Sequence, residues 1–227
     1  MGDVIITYEV FSKPGRFHKK NERPNEDALV VLEKEDYVCC FLSDGAGSSP
    51  FAKEASFTTV QSANDYCASH FDDFFDETNR AIITKELVFN IQQKLYEKAN
   101  ELQTELSQMT STLIVFGINK KTSEYIIIHI GDGLVAGIKN NNTTILSFPE
   151  NGITKQYTYF VNSSSVFDHL RTTRGKYTEN EMFFIGSDGC FENCYTDIGY
   201  ETRIKTIKNY TEFEDDVSYC IIKPTMV

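Results

Sequence analysis

The sequence predicts an α+β protein in which antiparallel sheets are covered by helices, and three observations predict it. Short apolar runs of strand composition open the chain, two long helical patterns follow, and strand runs resume after residue 111. The later runs are separated by turns of only a few residues, which join antiparallel strands but not parallel ones. No stretch is long or distinct enough to act as a linker, so residues 1–227 are read as one domain.

Residues 4–11 alternate apolar and polar and read as the first strand, and a polar, basic loop with two prolines spans 12–26. The runs 28–32 and 37–42, joined by the acidic turn 33–36, form a hairpin. Ser48 and Ser49 offer a cap and Pro50 a first helical position, after which Ala52, Ala55, Thr59, Ala63, Tyr66 and Cys67 recur at helical spacing up to His70. A second helix over 76–106 buries Ile82, Leu87, Ile91, Leu95, Ala99, Leu102 and Leu106, with Phe71, Phe74 and Phe75 packing the junction. Strands follow at 112–118, 125–130, 134–138 and 144–148, divided by turns at 120–123 and 140–142. Further strands are expected at 157–161 and 182–185, a helix at 200–209 and a last strand at 217–222.

Composition limits the function classes. With 41% hydrophobic and 13% aromatic residues the chain can bury a core, which excludes disorder as its main state. No apolar run approaches the roughly 18 to 20 residues of a membrane span, and the N-terminus lacks a basic region followed by an apolar one, so a cytoplasmic, unanchored protein is expected. A formal charge of −11 repels nucleic acid and anionic membrane, and neither is an expected partner. Six cysteines in apolar or helical contexts read as free buried thiols.

The acidic residues are placed unevenly. Ser43-Asp44-Gly45, Gly131-Asp132-Gly133 and Ser187-Asp188-Gly189 each close an apolar run, and the pairs Glu26-Asp27 and Asp215-Asp216 each enter one. A single Asp-Gly is an ordinary turn signal, because Gly takes positive φ freely. Five acidic strand ends differ, since packed antiparallel sheets bring alternate ends to one edge. Carboxylates about 4 Å apart repel by several kcal/mol at an intermediate dielectric, and they stay ionised together only if a cation sits between them. All-oxygen ligands without clustered histidines favour Mg²⁺ or Mn²⁺ over Zn²⁺. Two such ions about 3.5 to 4 Å apart activate a bridging water and clamp a phosphate for in-line attack.

In chain order, the motifs are His18 followed by Pro24-Asn25-Glu26-Asp27-Ala28, then Ser43-Asp44-Gly45-Ala46-Gly47-Ser48, Thr110-Ser111-Thr112-Leu113, Ile130-Gly131-Asp132-Gly133, Gly186-Ser187-Asp188-Gly189 and Asp215-Asp216-Val217-Ser218. Together, over most of the chain, they resemble the metal-dependent protein phosphatases of type 2C, in particular their compact bacterial branch. Each motif alone is weak; all six in this order are specific. The resemblance implies an α-β-β-α sandwich of two antiparallel sheets flanked by helices, with the metals at one sheet edge. It implies hydrolysis of phosphoserine or phosphothreonine without a phosphoenzyme, a phosphorylated protein as substrate and a cognate kinase as counterpart in signalling.

By the same resemblance Asp44 bridges two Mg²⁺ or Mn²⁺ ions and the Gly45 carbonyl meets the second. Asp188 and Asp215 complete the first, Glu26 and Asp27 hold waters, and Asp132 with Asp188 binds a weaker third. Asp215 is chosen over Asp216 because the family places this ligand three residues before Ser or Thr, here Ser218. Two departures stand out. Ala46 replaces the histidine that many eukaryotic members use as general acid, and Glu22 replaces the arginine that many members use for the phosphate. His18 and Arg23, with Arg16 or Lys19 nearby, are then the candidates for phosphate binding. A substrate flap is expected over 151–177.

Other features are discounted. His129, between isoleucines, reads as a core histidine, and Cys190 with Cys194 lacks the second pair that a soft-metal site needs. Two competing functions remain: a pseudophosphatase serving as a regulatory binding module, suggested by Ala46 and Glu22, and a phosphohydrolase of small molecules. The chain has neither a Gly-x-x-x-x-Gly-Lys loop nor an N-terminal Asp-x-Asp.

Overall fold

The computed structural model describes residues 4–151, 158–178, 180–194 and 196–226. Its strands are Val4–Lys13 (β1), Ala28–Glu33 (β2), Tyr37–Ser43 (β3), Leu113–Asn119 (β4), Glu124–Ile130 (β5), Leu134–Lys139 (β6), Asn142–Ser147 (β7), Arg171–Lys176 (β8), Glu181–Gly186 (β9) and Val217–Met226 (β10). The helices are Arg16–Lys20 (α1), Ala52–His70 (α2), Arg80–Glu101 (α3), Val166–His169 (α4) and Asp197–Thr206 (α5). Two five-stranded sheets result, ordered β1-β10-β9-β6-β7 and β2-β3-β4-β5-β8, with antiparallel pairing throughout.

The sheets face each other, α2 and α3 cover the outside of the second, and α5 covers the outside of the first. The period of two along a strand explains this layering. On β3, Cys39 and Phe41 turn to the helices while Val38, Cys40 and Leu42 turn to the other sheet; on β5, Ile126 and Ile128 oppose Tyr125 and Ile127 in the same way. Strands buried on both faces read as unbroken apolar runs, as these do. Phe41, Phe116, Phe183 and Phe184 are fully buried, each worth about 1.5–3 kcal/mol over exposure.

Several elements depart from expectation. Helix α2 starts at Ala52, not at a serine cap, because Ser49 Oγ donates to the Gln108 carbonyl instead of to a helix N–H. Helix α3 stops at Glu101 because Gln103 adopts a left-handed backbone (φ 54°), although Leu102 and Leu106 still pack on the core from the turn beyond. Helix α5 starts earlier than expected, where Thr196 Oγ1 accepts the Gly199 N–H at 3.1 Å, and a 3₁₀ turn over Ile207–Asn209 follows it. The described part of 157–161 is no strand: Thr158 makes one isolated bridge to Asn151, and residue 157 lies outside the described residues. Strand β8 was not expected, since Arg-Thr-Thr-Arg-Gly-Lys lacks any apolar residue; it is an edge strand held on one side by β5.

The expected flap over 151–177 is therefore partly sheet, and its residues 152–157 lie outside the described ones. The basic loop 12–26 holds the end of β1 and the short helix α1. The Phe71–Phe75 cluster does join the two long helices, with Phe71 and Phe74 buried, and all six cysteines are free thiols. Among the described residues, no helix is long and apolar enough to cross a membrane.

Candidate active site

Antiparallel pairing gathers the acidic strand ends. Asp44 follows β3, Asp132 sits in the β5–β6 turn, Asp188 follows β9 and Asp215 precedes β10, and all four line one cleft of about 250 Å³. Asp27 enters β2 at the same edge and is tied to Ser187 by a 2.9 Å hydrogen bond from the serine hydroxyl. A second cleft of about 220 Å³ shares Asp132, Asp188 and Asp215 and is walled by Pro149, Phe191 and Tyr200.

The glycines that follow these aspartates, Gly45, Gly133 and Gly189, serve close packing and not turn geometry. Among the described residues only Gly131 is a glycine with positive φ, at 112°. A Cβ on Gly45 would lie 2.4 Å from the Ala52 carbonyl oxygen, and one on Gly189 would lie 2.0 Å from that of Asp216. Any side chain there would push apart the backbones that carry the acids.

The electrostatics record the convergence. Burial raises the Asp27 carboxyl to about 7 against hydrogen bonds from Ser218 and Ser187, with the charges of Asp188 and Asp216 adding to it. Burial likewise pushes Asp132 to about 7 and Asp215 to about 6, in both cases helped by Asp188. Asp44 is held well above the usual carboxylate range by burial and then by the charges of Asp27 and Asp188. Asp188 thus acts on four other carboxyls from separate parts of the chain.

Four carboxylate oxygens among the described residues are buried without a hydrogen-bond partner: Glu26 Oε2, Asp27 Oδ1 and Asp188 Oδ1 among these strand-end acids, and Glu150 Oε2, which lies 3.2 Å from Arg171 Nε. A buried anion oxygen left unpaired is costly, and such atoms fit a cation better than a dry core. Among the described residues, no three His, Cys, Asp or Glu side chains are already closed around one ion.

The remaining expected residues are placed as follows. Asp215, Asp216 and His18 all line the cleft, but Asp216 is 3% exposed with both oxygens engaged by protein donors. His18, also buried, has Nδ1 2.6 Å from Asp216 and Nε2 3.6 Å from Glu26. Arg23 pairs with Glu26 at 2.6 Å and reaches the Gly47 carbonyl at 3.3 Å. Arg16 is paired with Glu212 and Glu214, Lys19 is exposed, and Glu22 is exposed at the end of α1. Ala46 lines the cleft and offers no proton donor in its side chain.

Four contributors went unread in the sequence. Thr112 lines the cleft and accepts the Asp44 N–H at 2.9 Å, while Thr158 and Phe160 form its rim. Arg171 donates to the Gly131 carbonyl at 2.7 Å and pairs with Glu150, steadying the turn that carries Asp132. Only Thr112 stood in a recognised motif; Arg171 sits in a polar run without one. His129, as expected, is a core residue, fully buried with Nδ1 2.7 Å from Ser147 Oγ.

A family profile described as protein phosphatase 2C matches residues 14–219. No curated protein sequence gives a match. Among solved structures, the chain is similar to the serine/threonine phosphatase of S. agalactiae, with 14% identity, a TM-score of 0.72 and coverage of 96% of this chain and 99% of that one. The Mycobacterium tuberculosis serine/threonine phosphatase PstP/Ppp gives 15%, 0.64, 96% and 98% for the same four quantities. RsbX in complex with magnesium gives 15%, 0.64, 99% and 100%. At these identities the structures share the fold.

Proposed function

The chain belongs to the protein phosphatase 2C family, and from that premise we propose that it is a Mg²⁺- or Mn²⁺-dependent protein phosphatase that hydrolyses phosphoserine and phosphothreonine by direct attack of water. The observation that carries this reading is the trio of buried carboxylate oxygens without partners, on Glu26, Asp27 and Asp188. They supply what hard divalent cations need, and the donors around them are oxygens.

In this reading Asp44, Asp188 and Asp215, with the Gly45 carbonyl, would hold the divalent cations, and Asp132 with Asp188 would serve a weaker further ion. Bound there, the ions lower the pKa of water and neutralise charge developing on the phosphoryl group. Glu26 and Asp27, whose Oε2 and Oδ1 lack hydrogen-bond partners, would orient metal-held water beside the cleft. Arg23, whose side chain is 33% exposed, is the forked cation available to a phosphate, with His18 buried behind it. Since Ala46 cannot donate, the leaving serine or threonine oxygen takes its proton from water.

The test is hydrolysis of p-nitrophenyl phosphate and of a phosphothreonine peptide with and without Mn²⁺. Turnover that requires the ion is expected; none in protein that binds the ion by calorimetry sinks the reading. That second outcome would favour a pseudophosphatase acting as a regulatory binding module, to which Ala46 and the exposed Glu22 point. One catalytic domain over 1–227, a cytoplasmic setting and a signalling role opposite a cognate kinase belong to the same proposal.

A further inference from the structure

The two adjacent aspartates ahead of β10 are placed for different work. Asp215 lines the cleft, and its Oδ1 accepts only the Asp216 N–H, at 2.8 Å, among backbone donors. Asp216 lines the same cleft, but its carboxylate is taken up by the protein: Oδ1 accepts the Gly15 N–H at 2.9 Å and Oδ2 meets both the Glu26 N–H and His18 Nδ1 at 2.6 Å. A carboxylate filled by three donors is a fixed anchor, because moving it breaks several charge-assisted bonds at once. The residues that meet it are buried too: His18, through its side chain, is 4% exposed and Glu26, through its backbone N–H, 5%.

What the anchor fixes is the segment carrying Glu26. Gly15 packs so tightly on the Asp215 backbone that a Cβ would lie 2.2 Å from it, and the Arg16 and Phe17 N–H groups donate to the carbonyls of Phe213 and Glu214. His18 then stands 3.6 Å from Glu26 Oε2, while Arg23 holds Oε1 at 2.6 Å. The Glu26 carbonyl in turn accepts the Gly45 N–H at 3.2 Å. Asp216, His18, Glu26 and Arg23 thus form a row in which carboxylate and nitrogen side chains alternate and which ends beside the Asp44-Gly45 loop.

We propose that Asp216 is a positioning residue, which through His18 and the Glu26 N–H presents the Glu26 carboxylate to the cleft, so that His18 is a strut and not a phosphate contact. The inference rests on the proposed divalent-metal site, and partners that orient a metal's inner groups are commonly worth 10- to 100-fold in metal affinity.

The experiment is calorimetric titration of Mn²⁺ into the metal-free full chain. Asp216→Asn and His18→Ala should each weaken binding about tenfold or more, and the double variant should be no weaker than the weaker single. His18→Asn should stay within about threefold of wild type, because its amide N–H can occupy the Nδ1 position and still donate to Asp216. That rescue is what a general loss of packing at His18 would not produce. Wild-type-like affinity in Asp216→Asn, additive losses in the double variant, or equal losses in His18→Asn and His18→Ala would overturn the proposal. Should Asp216→Asn not fold, the two His18 variants decide. A wild type that takes up no Mn²⁺ refutes the phosphatase reading and this inference together, whereas a binding wild type with unaffected variants refutes this inference alone.

Discussion

Asp44 and Asp188, which follow β3 and β9, line the same cleft, and burial with the charges of Asp27 and Asp188 holds Asp44 well above the usual carboxylate range. The same direction holds for Asp27 and Asp132, at about 7, and for Asp215, at about 6. Groups whose folded pKa is raised bind more protons folded than unfolded, so their contribution is fully present below the unfolded value near 4 and is lost as pH rises through 6 to 7. Metal-free protein should therefore melt lower at pH 8 than at pH 5.5, and Mn²⁺ should raise the melting temperature more at the higher pH. Melting curves in chelator and in Mn²⁺ check this; a metal-free protein that gains stability from pH 5.5 to 8 contradicts it.

Asp188→Asn removes the charge that acts on four other carboxyls. Loss of a ligand exceeds the 10- to 100-fold cost of losing a ligand's supporting partner, so turnover should fall more than about 100-fold. Metal-free stability at pH 7.5 should nonetheless rise, because the repulsion is relieved. Activity assays and melts of the same preparation test both halves, and near wild-type turnover would remove Asp188 from the assigned role.

These acids were legible because strand, small residue, Asp and Gly recur with a fixed spelling, and antiparallel pairing does the rest. The reason for the glycines was not legible: Gly45 and Gly189 answer to backbones distant in sequence, the Ala52 and Asp216 carbonyls, which no local pattern names. Strand β8 was invisible for a related reason, since an edge strand paired to β5 needs no apolar alternation. The end of α3 escaped because Leu102 and Leu106 keep the helical period although the backbone turns at Gln103. The separate placement of Asp215 and Asp216 required seeing where Gly15 and His18 come back to meet the chain.

Asp132 lines both clefts and is the member of the group carried by a turn, with the Arg171 guanidinium on the neighbouring Gly131 carbonyl. Asp132→Ala should raise the Mn²⁺ concentration required for half-maximal turnover while leaving activity at saturating Mn²⁺ largely in place. Titrating Mn²⁺ against turnover distinguishes this from loss of the central pair. An unchanged Mn²⁺ requirement would count against a third ion at Asp132.

His129 joins the two sheets through Ser147, and its environment opposes protonation: burial, then the Arg171 charge, hold its pKa well below the usual histidine value. The sign is opposite to that of the acids. A base kept neutral in the fold costs nothing above its unfolded pKa near 6.5, but below it the unfolded chain binds a proton that the native state refuses, and stability drops by up to about 1.4 kcal/mol per pH unit. His129→Asn, which can keep a side-chain hydrogen bond to Ser147, should lower stability at pH 7.5 through lost packing yet flatten the decline between pH 6.5 and 5 relative to wild type. Denaturant unfolding at several pH values on an Asp188→Asn background, where the acid cluster titrates less, isolates the effect. An identical pH dependence with and without the imidazole would show that His129 takes up its proton in the folded protein.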